Sequence, residues 1–293
     1  MLTLVAGSSG LIGRALVPEL RAAGHDVRRL VRREPAADDE IGWDPPSGSI
    51  ASGAFDGVDA VINLCGAPVQ GKWTAEQKQR MRDSRIEPAR TLAEAVAEHG
   101  VPTLINASSV SFYGNVGDTA ADESSGPGGG FLAQMVIDWE TATKAAQDAG
   151  GRVALLRTGL VLTPDTGLIG VLRPMVRLGL GGRFGDGRQY IAWISVDDEV
   201  AAMRFVLEHP DLSGPINLCA PEPVTNAAFT RTVGRALGRP AFLPMPKAVV
   251  RFALGEAADE LALNSLRVVP QVLNDAGFTF RHTELDHALA DIL

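Results

Sequence analysis

Cysteine, tyrosine and long apolar runs are scarce in this chain of 293 residues. The two cysteines, Cys65 and Cys219, form no CxxC or Cys/His spacing, which argues against a disulfide framework or a zinc site. Five scattered histidines contain no HExxH motif. No stretch approaches the roughly 20 apolar residues that a membrane span requires, and the short run Leu2–Ala6 lacks the basic leader of a signal peptide. These absences predict a cytoplasmic protein with reduced thiols and no membrane partner.

Positive charge is in deficit, with 27 Lys and Arg against 35 Asp and Glu and a formal net charge of −8. This balance argues against general affinity for nucleic acid or for an anionic membrane, but it does not exclude a local basic pocket for a phosphate. Hydrophobic residues make up 45% and charged residues 21% of the chain, as in an ordinary soluble globular protein. The partner that we expect is a small-molecule substrate, and nothing in the sequence identifies it.

Short apolar runs alternate with amphipathic helical patterns through the first 160 residues. The runs predict strands at 2–6, 26–31, 60–64, 103–107 and 152–156, and the patterns predict helices at 11–23, 87–98 and 131–149. Apolar strands joined by helices form a parallel sheet covered on both faces, and right-handed crossovers make it doubly wound. The predicted fold class is therefore α/β, a Rossmann doubly wound parallel sheet.

After Gly159 the pattern changes. Residues 163–190 are rich in glycine and arginine, and helical patterns follow at 226–237, 247–252, 265–276 and 284–292. We predict an NADP-binding Rossmann domain made of residues 1–160 plus about 191–222. Residues 161–190 plus about 223–293 are predicted to form a smaller, discontinuous C-terminal substrate lobe.

A glycine-rich turn follows the first predicted strand and opens the first helix. It reads Gly7-Ser8-Ser9-Gly10-Leu11-Ile12-Gly13, a GxxGxxG spacing. The glycines suit a tight turn, a close approach of backbone to pyrophosphate and close packing of helix on strand. The helix N-terminus offers unpaired N–H groups to the phosphates. Because strand, helix and second strand are all in place, we predict a dinucleotide site rather than a plain tight turn.

The end of the second predicted strand indicates which dinucleotide binds. An NAD site usually presents an acidic residue there, but this chain reads Val31-Arg32-Arg33. A guanidinium forms charge-assisted hydrogen bonds with a 2′-phosphate. We therefore expect NADP(H), with Arg32 the stronger candidate and Arg33 the second. The alternative is a solvated basic turn.

These motifs resemble those of the extended short-chain dehydrogenase/reductase (SDR) superfamily over nearly the whole chain. Residues 58–66, which end in Leu64-Cys65-Gly66, are similar to the fourth strand and the loop beside the cofactor. Residues 156–159 resemble the sixth strand and the loop that lies near the nicotinamide. The resemblance implies that Leu64, Cys65, Gly66 and Arg85 lie at the cofactor. For Arg85, a plain surface position on a helix is an equal alternative.

More narrowly, the chain resembles the atypical "epimerase family protein" branch of the NAD-dependent epimerase/dehydratase-like proteins. Asp138-Trp139-Glu140, the segment Arg177-Leu178-Gly179-Leu180-Gly181-Gly182 and the C-terminal lobe carry this likeness. It implies oxidoreductase or epimerase-like chemistry on a small carbonyl or hydroxyl compound. Family members often dimerise through a helix pair, so the resemblance leaves a homodimer open.

The acid–base pair of the SDR family is missing from its expected place. The family uses a tyrosine and, one helical turn later, a lysine on the same helix face. Here Phe131 or Leu132 occupies the tyrosine position, and Met135 or Val136 occupies the lysine position.

Residues 107–114 resemble the family motif that carries the catalytic serine, which makes Ser109 and Tyr113 the catalytic candidates. Ser109 lies four residues before Tyr113, and its alternative role is to satisfy a backbone group at the strand end. Tyr113 has packing as its alternative, while Asp122 and Glu123 are further replacements for the missing tyrosine. The chain is thus either an NADP(H)-dependent enzyme or a non-catalytic NADP(H)-binding regulatory or redox-sensing protein.

Overall fold

The computed structural model describes residues 1–164, 167–178, 181–241 and 243–293. Its strands are β1 (Leu2–Ala6), β2 (Asp26–Val31), β3 (Glu40–Asp44), β4 (Ser49–Ile50), β5 (Ala60–Asn63), β6 (Thr103–Ser109), β7 (Arg152–Thr158), β8 (Leu160–Leu162), β9 (Tyr190–Ile191), β10 (Trp193–Ser195), β11 (Gly214–Leu218) and β12 (Val224–Thr225). Eight of them form one sheet in the order β11-β7-β6-β5-β1-β2-β3-β4. Its pairs are parallel except for the antiparallel pair of β3 with β4.

Helices cover the sheet and form most of the C-terminal part. They are α1 (Leu11–Ala22), α2 (Ala75–His99), α3 (Phe131–Thr141), α4 (Lys144–Asp148), α5 (Gly167–Arg177), α6 (Val196–Glu208), α7 (Asn226–Ala236), α8 (Lys247–Leu254), α9 (Ala257–Leu261), α10 (Gln271–Asp275) and α11 (Leu285–Ile292). Short 3-10 helices lie at Pro45–Ser47 and Val110–Tyr113. Within the described ranges, no helix is both long enough and apolar enough to cross a membrane.

Two cores lie on opposite faces of the sheet, because successive strand side chains point to opposite sides. In β1, Val5 belongs to the first core, which α1 and α6 cover with residues such as Leu16 and Met203. The neighbouring Leu4 belongs to the second core, which α2 covers with residues such as Leu92. The predicted doubly wound parallel sheet with helices on both faces is therefore confirmed.

A third core lies among helices outside the large sheet. It joins side chains of α5, α7 and α11, including Phe229 and Leu289, with the fully buried Trp193 of β10. Since Trp193 falls in the predicted Rossmann part, this core crosses the predicted domain boundary, whose placement stays a prediction. Gly179 and Leu180, which the resemblance places in the lobe motif, lie outside the described residues.

Element boundaries differ from the predicted ones where local chemistry overrides periodicity. The helix predicted at 87–98 begins at Ala75, because the Thr74 hydroxyl accepts the Gln77 N–H at 3.2 Å and Pro88 is accommodated within the helix. The predicted helix 131–149 divides into α3 and α4. The helix predicted at 265–276 shrinks to α10, because residues before Pro270 are extended and Val268 bridges to Ala121.

Candidate functional site

A glycine-rich turn joins β1 to α1 at the carboxyl edge of the sheet. Gly7 has a φ of +81°, and a Cβ at this position would lie 2.8 Å from the carbonyl carbon of Leu64. A Cβ on Gly13 would lie 2.4 Å from the Gly7 carbonyl oxygen, which accepts the Gly10 N–H at 3.0 Å. A larger residue at Gly7 or Gly13 would displace the neighbouring backbone. The turn is therefore packed as closely as a dinucleotide-binding loop requires.

The first turn of α1 opens at this loop with free donors. Gly10 is its N-cap residue, and in the described part of the chain no side chain caps the helix and no acidic residue lies in its first turn. Ser9 is exposed and Leu11 is half-buried, while Ile12 packs against the first core. The unpaired N–H groups and the positive end of the helix dipole can therefore receive a phosphate.

The two arginines after β2 differ in their surroundings. The Arg33 guanidinium forms a bidentate ion pair with Glu40, at 2.5 and 2.8 Å, and donates to the Glu34 carbonyl. Arg32 is exposed and has no hydrogen bond or ion pair among the residues that the structure describes. Its charge acts on the Cys65 thiol, whose pKa is raised to about 12 by burial and lowered somewhat by Arg32. Arg32 therefore has a free guanidinium near Cys65, which follows β5, whereas Arg33 is committed to Glu40.

Arg85 lies against the loop that follows β5. A Cβ on Gly66 would lie 3.1 Å from the Arg85 Cζ, so the guanidinium rests on this glycine. Its Nη1 donates to the Met81 carbonyl at 3.1 Å, and the group lies 5.3 Å from the centre of a Trp139 ring. Burial lowers the pKa of Arg85 to about 10, and no carboxylate of the described residues pairs with it. A half-buried cation without a counterion is a candidate partner for an anionic ligand.

Ser109 ends β6 and begins the short helix Val110–Tyr113. Its hydroxyl accepts the Ser111 N–H at 3.1 Å and donates to the Ser111 hydroxyl at the same distance. The residue is half-buried at the carboxyl edge of the sheet. The hydroxyl thus serves a local cap in the present geometry, and its contact with a substrate remains a prediction.

Tyr113 is buried away from any open surface, with 3% of its area exposed. Its hydroxyl donates to the Asn217 Oδ1 at 2.8 Å and accepts from the Arg157 Nη1 at 3.0 Å. The pKa of Tyr113 is raised to about 12, chiefly by burial. A phenol so placed holds neighbouring chain segments together, and this geometry disfavours Tyr113 as the replacement for the missing proton donor.

Glu123 and Asp122 also have structural contacts. The Glu123 carboxylate accepts the backbone N–H groups of Asn217, Gln271 and Val272, at 2.9, 3.1 and 3.3 Å. Burial raises the pKa of Glu123 even though these hydrogen bonds lower it. Asp122 accepts from Ser124 and Ser125 within its own loop. Glu123 therefore fixes β11 and α10 in place, and Asp122 stabilises a turn.

Apolar side chains fill the first turns of α3, where the SDR tyrosine and lysine would lie. Leu132 and Met135 are buried against Met81 of α2, and Phe131 packs on the same group. The N–H groups of Phe131 and Leu132 donate to the Glu260 carboxylate at 2.8 and 2.7 Å. These positions therefore carry apolar side chains, and the charged groups beside them, Glu260 and Lys78, belong to other segments of the chain.

A buried ion pair lies farther along α3. Glu140 binds the Arg157 guanidinium through two bonds of 2.9 Å and accepts the Ser108 hydroxyl at 2.6 Å. The Arg157 Cζ lies 3.4 Å from the centre of the Phe112 ring. The motifs Trp139-Glu140 and Leu156-Arg157 are both visible in the sequence, but nothing in the sequence indicates that Glu140 and Arg157 pair. Three of the five N–H donors of Arg157 are thus bonded to Glu140 and Tyr113 inside the protein, which gives the guanidinium a structural role.

Two further groups were not singled out from the sequence. Glu199, in the first turn of α6, is buried and accepts the Thr158 hydroxyl at 2.8 Å, while its Oε2 has no partner among the described residues. Burial raises the pKa of Glu199 to about 8. Lys78, in the first turn of α2, lies near the rings of Trp73 and Phe131. The Thr74 cap is the signal that could have placed Lys78 on a helix.

Comparison with known proteins gives matches over nearly the whole chain. Residues 3–219 match the NAD dependent epimerase/dehydratase family, and residues 245–292 match a domain of unknown function, DUF1731. The epimerase family protein Mb2239 of Mycobacterium bovis is 52% identical over 286 residues, covering 97% of this chain and 95% of that protein. Human epimerase family protein SDR39U1 is 34% identical over 300 residues, covering 100% of both chains. The crystal structure of human SDR39U1 isoform 2 with NADPH gives a TM-score of 0.90 at 32% identity, covering 100% of this chain and 99% of that chain.

Proposed function

Because the chain belongs to the NAD-dependent epimerase/dehydratase family, in its SDR39U1-like branch of atypical extended SDR proteins, we propose that it binds NADP(H) and acts on a small carbonyl or hydroxyl compound. The reaction class is that of an oxidoreductase or epimerase-like enzyme. The observation that carries the proposal is the unpartnered Arg32 beside a glycine turn that has no room for a Cβ at Gly7 or Gly13. The human relative that was crystallised with NADPH supports it.

The residues at the carboxyl edge fit the chemistry of this cofactor. The free N–H groups of α1 suit the pyrophosphate, and the exposed Arg32 guanidinium suits the 2′-phosphate. Gly66 leaves room for the Arg85 guanidinium, which is a second cation beside the β5 loop. NADPH supplies a hydride when bound, so the chain itself has to position the substrate, exclude water and stabilise charge.

A non-catalytic role is the second candidate, and the apolar Phe131 and Met135 favour it. With Leu132 and Val136 as the alternatives, they are the candidates for the place of the family acid–base pair, so hydride transfer would lack its usual proton partner. This candidate predicts tight NADP(H) binding, no turnover across a broad panel of carbonyl and hydroxyl compounds, and a partner protein whose affinity differs between NADPH and NADP⁺. Equal partner affinity in both redox states would count against sensing.

Thermal unfolding with NADPH, NADP⁺, NADH and NAD⁺ tests the cofactor proposal. A ligand at 100 times its dissociation constant adds about 2.7 kcal/mol to the folded state, which raises the midpoint by roughly 2–4 °C per kcal/mol. We expect stabilisation by the phosphorylated cofactors that Arg32→Ala loses. Two variants serve as controls. Arg33→Ala removes the arginine that pairs with Glu40, and Arg90→Ala removes an exposed arginine of α2.

The result that overturns the proposal is the absence of any cofactor-dependent shift in protein shown to be free of nucleotide. Denaturing the purified protein and assaying the released nucleotide excludes a site that is already filled. Equal shifts with NADPH and NADH would keep dinucleotide binding but remove the role of Arg32.

A further inference from the structure

Lys78 lies where the first turn of α2 meets the first turn of α3. Its ammonium is 5.0 Å from the centre of the Phe131 ring and 5.9 Å from that of Trp73. The two rings meet edge to face, with centroids 5.2 Å apart. A cation held beside two aromatic rings, on a side chain that is 25% exposed, is accessible to a ligand that also contacts the rings. We call the group Trp73, Lys78, Phe131 and Glu256 the Lys78 cleft.

The Lys78 cleft adjoins two parts of the candidate site, the segment after Ser109 and the face of α2 that carries Arg85. The loop before Phe131 packs backbone to backbone on the segment after Ser109, since the Gly128 N–H donates to the Phe112 carbonyl at 2.9 Å. On α2, Arg85 follows Lys78 by seven residues, which is two helical turns along the same face. Lys78 therefore lies on the same face of α2 as Arg85, the cation assigned to the cofactor. It lies beside the first turn of α3, where the family places its tyrosine.

Lys78 has one carboxylate partner in the described part of the chain, Glu256, at 2.5 Å. The Glu256 side chain is 55% exposed and belongs to the C-terminal part of the chain, immediately before α9. Exposed ion pairs of this kind are weak and are readily replaced. An anionic ligand that enters between the rings can take the place of Glu256 without leaving a buried charge unpaired.

We propose that the Lys78 cleft binds the substrate of this chain, with the Lys78 ammonium on an anionic or polarised oxygen and the rings of Trp73 and Phe131 on a flat apolar body. The ligand class is a planar organic carboxylate or conjugated carbonyl compound. An ammonium fixed beside a carbonyl oxygen stabilises the negative charge that develops there when hydride adds to the carbonyl carbon, and beside a carboxylate it binds and orients the ligand. In the family, the missing tyrosine and lysine serve the reacting oxygen. This inference rests on the proposed function, because it assigns the substrate side of the same site.

Binding of 4-fluorobenzoate to the chain saturated with NADP⁺, followed by ¹⁹F NMR, tests the inference without a known substrate. We expect the wild type to bind this probe and to bind the uncharged 4-fluorobenzamide far more weakly. Lys78→Met should weaken 4-fluorobenzoate binding by roughly ten- to a hundredfold, the range for a charged hydrogen bond. Glu256→Gln, which keeps Lys78 and frees it from its ion pair, should strengthen binding. Lys144→Met, remote on α4, should leave binding unchanged.

Equal affinity of the wild type and Lys78→Met for 4-fluorobenzoate would overturn the inference, as would no binding to the NADP⁺-saturated wild type. Weaker binding in Glu256→Gln would also contradict it, and this variant keeps the test decisive if Lys78→Met folds poorly. Thermal stabilisation of the wild type by NADP⁺ is measured in parallel. Failure of that shift counts against the proposed function, whereas a normal shift without probe binding counts against the Lys78 cleft alone.

Discussion

Arg32 and Arg157 both lie near the carboxyl edge of the sheet, but their guanidinium groups have opposite surroundings. Arg157 is 5% exposed in its side chain and is held by Glu140, Tyr113 and the Phe112 ring. Arg32 is exposed and has no partner among the described residues. The same contrast holds for the regions around them. The glycine turn of α1 presents free donors, whereas the polar groups behind β6 and β7 bind one another.

This contrast separates residues that recognise a ligand from residues that hold the fold. A polar group whose hydrogen bonds are already made inside the protein gains little from a ligand, while a free one can be satisfied by it. The cofactor end of the candidate site is therefore built for recognition. At the reaction end, the polar groups beneath the surface are structural, and Lys78 is the cation there that is open to exchange its partner.

The largest expected effect tests whether the polar groups at the reaction end are structural. Glu140→Gln leaves the buried Arg157 charge without compensation, so we expect a loss of about 3–5 kcal/mol in the free energy of unfolding. The NADPH-dependent thermal shift should survive. Chemical denaturation with and without NADPH measures both quantities, and Asp148→Asn, which removes only the exposed pair with Lys144, is the matched control. Loss of the shift at unchanged stability would move Glu140 into the cofactor site.

Glu199→Gln should stabilise the chain in a pH-dependent manner. The native pKa, about 8, lies above the ordinary 4.5, so the unfolded chain ionises first as the pH rises. The buried neutral Glu199 makes its full contribution to the free energy of unfolding below about pH 4.5. This contribution is lost as the pH rises from 4.5 to 8. Glutamine does not ionise, so its advantage grows over this range to at most about 4 kcal/mol. The free energies of unfolding of the wild type and of Glu199→Gln are measured at pH 5 and pH 8. A difference between the two proteins that is the same at both pH values would contradict the prediction.

Gly13→Ala tests whether the glycine turn binds the cofactor. Its Cβ would meet the Gly7 oxygen at 2.4 Å, so backbone must shift at a cost of about 1–3 kcal/mol. Because the shift moves the phosphate-binding donors, the NADPH-dependent change in midpoint should disappear. Gly126→Ala, where a Cβ meets open space, is the control for the substitution itself. A Gly13→Ala protein that still binds NADPH normally would remove the glycine turn from the site.

Ser109→Ala should have the smallest effect. The hydroxyl accepts one N–H, that of Ser111, so we expect a loss of about 1 kcal/mol or less and no change in the cofactor shift. Turnover with any substrate that a screen finds is the more informative measurement. If turnover falls while stability changes little, Ser109 contacts the substrate; if both change in proportion, the hydroxyl is only a cap.

Much of the large sheet was predictable because buried parallel strands are short apolar runs between helices. Strands at 2–6 and 26–31 agree with β1 and β2 to the residue. The strand β3, with Glu40 buried at its start, was missed because its inward side chains include a charge that Arg33 neutralises. Periodicity carries no information on which charged side chain pairs with which.

The candidate site was predictable where backbone geometry dictates residue type. Gly7 and Gly13 are read directly from sequence because a Cβ has no room at either position. The roles of Tyr113 and Glu123 were not readable in this way, because they depend on Asn217, about a hundred residues later. Lys78 escaped notice for the same reason, since its neighbour Phe131 lies on another helix.

The hydrogen bonds from the first N–H groups of α3 to Glu260 join positions 129 and 128 residues apart. A ribosome adds residues at roughly 5–20 per second, so roughly 6 to 26 seconds separate the synthesis of Phe131 from that of its acceptor. During that interval the start of α3 has to rely on solvent. We expect the nascent chain to stay sensitive to proteases at residues 126–131 until α9 has emerged. The C-terminal segment therefore completes the start of α3 late in synthesis.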